Sequence, residues 1–131
     1  MNDLNNKRKA AGVLIIARST GNCFLMKRAN QGKHPLTWAM LSGEINPEEK
    51  PLEGLMREVG EEISINPNII SYHYVYTEKT NDLDFYYYLG FTDNEFKPTL
   101  NEENVDYGWF DKTNLPTPLY PRMGTKIFTK I

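Results

Sequence analysis

The stretch that most constrains this chain is GEINPEEKPLEGLMREVGEEISI, residues 43–65. Within it Leu52, Leu55, Met56, Val59 and Ile63 recur at i, i+3, i+4, i+7 and i+11, one apolar stripe at helical period. Proline fits the first turn of a helix but not its interior. Pro51 therefore sets the start, predicting a loop over 42–50 and a helix from Pro51 to Ile63. Asn46-Pro47-Glu48-Glu49 offers another cap, but that start would bury Pro51 inside the helix. On the predicted helix Glu58, Glu61 and Glu62 stand at i, i+3 and i+4 and share a face, roughly 120° around from the stripe. Gly54, one turn earlier, lies on the carboxylate side and leaves it uncrowded. Like charges at these spacings oppose one another. Something must offset that cost, and a divalent cation is the usual candidate, because hard cations take carboxylate oxygens together with substrate phosphates. The plainer alternative is an amphipathic helix with a solvated acidic face.

The remaining chain reads as strands around this helix. Residues 1–8 are polar and expected to fray. The run 10–17, AAGVLIIA, is continuously apolar, the pattern of a strand buried on both faces. Ser19–Asn22 signals a turn, and Cys23–Arg28 returns as the second strand of a hairpin. Asn30–Thr37 reads as a loop. After the helix, Asn66-Pro67-Asn68 breaks the chain. The run 69–79 alternates, with Tyr72, Tyr74 and Tyr76 expected on one side and His73, Val75 and Thr77 on the other. Asn81-Asp82 is a turn. In 84–91, Phe85, Tyr87, Leu89 and Phe91 are expected opposite Tyr86 and Tyr88. Strand tyrosines are chiefly packing residues. A further strand follows Glu102-Glu103, and Met123–Ile131 is expected to form a short closing helix.

At 131 residues the chain is expected to be a single domain, 1–131. A net charge of −2 gives no strong nucleic-acid signature. No apolar run approaches the ~20 residues that span a bilayer, and the polar start lacks a signal core. The single cysteine, Cys23, forms no internal disulfide and reads as a buried thiol. The expected location is the cytoplasm.

The 43–65 stretch resembles the Nudix box: Gly, five residues, Glu, seven residues, Arg-Glu, an aliphatic, one residue, Glu-Glu, one residue, Gly, an aliphatic. Here Gly43, Glu49, Arg57, Glu58, Val59, Glu61, Glu62 and Ile65 match, and Ser64 replaces the second glycine. Upstream, Trp38 and Gly43 match the family's usual segment, with Leu41-Ser42 in place of Pro-Gly. Downstream, Glu102-Glu103, Trp109-Phe110 and Leu115-Pro116 resemble a second family segment.

The resemblance implies an α/β fold: a Nudix α/β/α sandwich with a mixed central sheet and a loop-helix catalytic box. It implies a Mg2+- or Mn2+-dependent hydrolase acting on the diphosphate bond of a nucleoside diphosphate linked to another moiety. Glu58, Glu61, Glu62, Glu103 and the Ser42 carbonyl are the expected metal ligands. Glu58, Glu61, Glu103, Arg57 and Glu49 are the expected catalytic set; Arg57 pairs with Glu49, and Glu103 or a box glutamate serves as base, with Glu102 in reserve. Arg57 is expected to point away from the metal face. Arg28 and Glu44 are the substrate-binding candidates, Arg28 by a bidentate phosphate contact. The expected partner is a small nucleoside diphosphate derivative, and a homodimer is compatible with the sequence. The alternative is a non-catalytic nucleotide sensor of the same fold, which would be expected to have lost box carboxylates.

Overall fold

The computed structural model describes residues 7–131. Its centre is β1 (Arg8–Ala17), which runs parallel to β6 (Leu83–Thr92) along its whole length. Every other pairing between two strands of the sheet is antiparallel, so the seven-stranded sheet is mixed. The continuous apolar run is explained by burial on both faces: Ala11, Val13 and Ile15 join one core, Leu14 and Ile16 the other. The expected fraying of residues 1–6 lies outside the described residues. Lys7 and Arg8 depart from it, since Arg8 opens β1 and Lys7 pairs with Asp84 at 2.8 Å.

The hairpin from β1 to β2 (Cys23–Arg28) turns at Gly21, whose φ of 77° suits a residue without Cβ. The two strands pair only at Ile15–Phe24 and Ile16–Cys23. Beyond that point the sheet splits. β1 takes β4 (Leu41–Glu44) as its neighbour through Ala10–Val13. β2 takes β3 (Trp38–Ala39) at Met26 and Lys27, and β7 (Asn104–Phe110) along its other edge. Residues 42–44, expected in a loop, are thus strand, because β1 has a free edge there to pair them.

The α1 helix (Pro51–Ile63) has the expected bounds. Leu55, Val59 and Ile63 are fully buried in the core that includes Val13, Ile15 and Leu41. The expected stripe is narrower than read: Leu52 is 37% exposed, and Glu62, at 6%, takes a buried place. The second face of the sheet is covered by Met123, Ile127 and a short 3-10 helix, Lys126–Lys130, in place of the longer helix expected over Met123–Ile131. The α/β/α order of layers stands, with this second layer reduced to one short helix. Lys126 lies 4.4 Å over the ring of Tyr76, which stacks on Tyr87.

β5 (Ser71–Lys79) departs from simple alternation. A bulge puts Tyr74 opposite Tyr88 and Tyr76 opposite Tyr87. Tyr72 therefore packs on the α1 side and Tyr76 on the other. In β6 the alternation holds as read. Cys23 is buried, and that burial pushes its thiol up to about 11.

Candidate active site

The loop before α1 is fastened to the helix by one side chain. Arg57 donates from Nε to Glu49 Oε2 at 2.9 Å and from Nη2 to Glu49 Oε1 at 3.0 Å and to the Glu44 carbonyl at 3.1 Å. The expected Arg57–Glu49 pair is present, and Glu49 is further fixed by the Asn46 N–H at 2.9 Å. Arg57 and then Asn46 hold the Glu49 carboxyl below its ordinary range. Arg57 does not turn away from the acidic face. Its Nη1 reaches Glu58 Oε1 at 2.9 Å and Glu61 Oε2 at 3.2 Å, because its long stem carries the guanidinium past its own Cβ direction. These partners, Glu49 foremost, hold its charge more firmly still.

Two glycines set the approach of loop and strand to the helix. A Cβ on Gly43 would fall 2.3 Å from Glu58 Cδ, so β4 passes directly against that carboxylate. A Cβ on Gly54 would fall 2.6 Å from Ile45 Cδ1 and 3.1 Å from Glu49 Oε1. Gly54 thus admits the loop, and does not merely leave the acidic face uncrowded as its sequence position suggested.

The far end of α1 is built by a later segment. Ser64 leaves the helix in the left-handed conformation, φ 53° and ψ 36°. Thr99 N–H then donates to the Ile63 carbonyl at 3.1 Å and Asn101 N–H to the Glu62 carbonyl at 3.3 Å, satisfying two free helix-end acceptors. Asn101 Oδ1 accepts the Glu103 N–H at 3.0 Å, and the Glu103 carbonyl accepts the Ala29 N–H at 3.0 Å. This chain of bonds brings Glu103 to Glu62 and to the end of β2. There the split sheet leaves a cavity of about 310 Å³, whose lining includes Arg28, Met40, Ser42, Glu62, Glu103 and Tyr120.

Glu62 is the electrostatic centre. Its Oε2 is buried with no hydrogen-bond partner. Its carboxyl is pushed up to about 9 by burial first, then by the adjacent Glu58 carboxyl and the charges of Glu103 and Glu61. A bound cation reverses these effects. The donor set of carboxylates, with a backbone carbonyl at Ser42, is the hard oxygen chemistry that Mg2+ and Mn2+ take. The orphaned Glu62 oxygen fits such an ion. Among the described residues no three His, Cys, Asp or Glu side chains are placed to hold an ion together as they stand; Arg57 holds Glu58 and Glu61 in the structure.

The remaining candidates divide. Arg28 lines the cavity, its guanidinium 4.5 Å over the Tyr120 ring. Ser42 also lines it. Glu44 is not brought there: its side chain pairs with Arg8, and it borders a separate hollow beside Lys7 and Pro47. Glu103 lines the cavity and its neighbour Glu102 does not. Sequence reasoning missed Tyr120, Met26 and Met40, which reach the cavity only through tertiary pairing. Asn104 lines it too, one residue from the acidic pair that was singled out.

The sequence profile described as the NUDIX domain matches residues 6–128. The chain belongs to the NUDIX domain family. Solved structures agree on the fold. The E. coli dihydroneopterin triphosphate pyrophosphohydrolase superposes with a TM-score of 0.73 at 15% identity, covering 93% of this chain and 92% of that one. The Nudix hydrolase RenU from M. smegmatis gives 0.77 at 15%, covering 95% and 83%. The MutT protein from Methanosarcina mazei gives 0.70 at 20%, covering 95% and 91%. No curated protein sequence matches. The NUDIX family brings with it the enzyme class expected from the box, hydrolysis of a pyrophosphate bond with a divalent cation. No helix among the described residues is long and apolar enough to cross a membrane.

Proposed function

We propose that this NUDIX chain, working as one domain over residues 1–131, hydrolyses the diphosphate bond of a nucleoside diphosphate linked to another moiety, using Mg2+ or Mn2+. The observation that carries the reading is the buried, unpartnered Glu62 oxygen, set beside Glu58, Glu61 and Glu103 at a cavity that also holds Arg28. Glu58, Glu61, Glu62 and Glu103, with the Ser42 carbonyl, would hold the cation. When bound, it polarises phosphoryl oxygens and lowers the pKa of water.

The chain's own groups supply the rest. Arg28 binds phosphate charge opposite the carboxylates. Arg57 and Glu49 keep the loop on the helix and orient Glu58 and Glu61. Glu103 or a box glutamate takes the proton as a water oxygen bonds to phosphorus and the bridging P–O bond breaks, leaving two phosphate products. The lone buried Cys23 suits a reducing compartment such as the cytoplasm. The test is a panel of nucleotide sugars, nucleoside triphosphates, dinucleoside polyphosphates and a pterin triphosphate, assayed for released phosphate or nucleotide with Mg2+, with Mn2+ and with EDTA. Turnover of one class, abolished by EDTA, is expected. Binding of a nucleotide with no turnover in either metal would favour the sensor reading instead.

A further inference from the structure

Arg28 is held with unusual completeness for an arginine beside an open cavity. Its backbone closes the 29–36 loop, with Arg28 N–H donating to the Thr37 carbonyl at 2.9 Å and the Arg28 carbonyl accepting the Leu36 N–H at 3.1 Å. Its Nη2 donates to the Lys33 carbonyl of the same loop at 3.2 Å. Its guanidinium lies 4.5 Å over the Tyr120 ring, and His34 meets that ring edge-on at 5.5 Å. Two residues of the loop, His34 and Leu36, carry φ of 51° and 59° without being glycine. Such conformations persist only where surrounding contacts over-determine them. After all this the Arg28 Nε is buried and has no partner. A buried guanidinium N–H without an acceptor is costly. Arg28 lines the same cavity as Glu62 and Glu103.

Tyr120 itself is anchored through its backbone. Its N–H donates to the Trp38 carbonyl at 2.8 Å, and Trp38 N–H donates to the Pro118 carbonyl at 2.9 Å. The main chain at Tyr120 is therefore held by strand-like pairing to β3. One face of its ring is taken by Arg28, which leaves that face closed to a nucleobase.

We propose that Tyr120 is a positioning residue for substrate binding: its ring fixes the plane of the Arg28 guanidinium so that Arg28 donates to a substrate phosphate oxygen in the cavity they both line. The proposal deepens the reading above and rests on its assignment of Arg28 to phosphate. It makes Tyr120 serve the phosphate end of any substrate, not its base.

The experiment measures binding of two non-hydrolysable probes in Mg2+ by calorimetry, methylenediphosphonate and adenosine 5′-(α,β-methylene)diphosphate. The proteins are wild type, Tyr120→Phe, Tyr120→Leu and Arg28→Met, each also titrated with Mn2+ alone. Tyr120→Phe keeps the ring and should bind both probes as wild type does. Tyr120→Leu should weaken both by the same factor, about 5- to 10-fold for a lost cation–π contact, with Mn2+ binding unchanged. Combined with Arg28→Met, Tyr120→Leu should add nothing further. Weakening of the adenosine probe alone would make Tyr120 a nucleoside contact and overturn the proposal. Loss of Mn2+ binding in Tyr120→Leu would also overturn it, by making the ring a general support of the site. If Arg28→Met leaves both probes unaffected, the phosphate role of Arg28 fails; if Arg28→Met weakens them and Tyr120→Leu does not, the positioning role alone fails.

Discussion

Glu62 offers a test that needs no substrate. Burial and its acidic neighbours raise its pKa from 4.5 to about 9 in the metal-free protein. Folding then takes up a proton, so this group's contribution is fully present below about pH 4.5 and is lost as pH rises toward about 9. In EDTA the melting temperature should therefore fall across that window. Glu62→Gln, which cannot ionise, should flatten the slope and melt several degrees above wild type at pH 8. An unchanged slope in Glu62→Gln would mean that another group carries it. Arg57 acts differently, through Glu49, Glu58 and Glu61. Arg57→Ala should weaken Mn2+ binding by ~10–100-fold, and by less than Glu62→Gln does. The reverse order, read by calorimetry, would mean that the roles assigned to the two residues are exchanged.

At the scale of elements, α1 was legible because its start, its apolar period and its acidic spacing all agreed. The strand before it was not, because nothing local marks Leu41–Glu44; it exists through the edge of β1. Gly43 marks how tightly the two meet. In Gly43→Ala the new methyl would displace the Glu58 carboxylate. Turnover should fall at least ~10-fold while the urea midpoint changes little, since a flexible side-chain end can swing aside. A large stability loss with normal turnover would contradict this. Ser64 closes the other end at φ 53°, the left-handed position that the family pattern gives to glycine. Ser64→Gly should relieve up to ~1 kcal/mol of steric cost, less what greater freedom in the unfolded chain takes back. The urea midpoint should rise with turnover unchanged; a lower midpoint would show that Ser64 is better placed there than glycine.

Across the whole molecule, the box reported the acids and the family, while the cavity comes from contacts of high sequence separation. The split of the sheet between β1 and β2, the docking of residues 99–103 on the end of α1, and the pairing of Leu119 with Trp38 have no local signature. For that reason a motif points to Glu103, which lines the cavity, whereas nothing local points to Tyr120, which lines it too. Glu44 stays outside the cavity lining because its side chain goes to Arg8. The account's central claim is that these distant pieces assemble a cation site whose innermost ligand is Glu62. The direct test is steady-state turnover of Glu62→Gln beside wild type, on the best diphosphate substrate from the panel and in saturating Mg2+. With the fold intact by circular dichroism, kcat should fall at least ~100-fold; turnover near the wild-type rate would contradict the metal site.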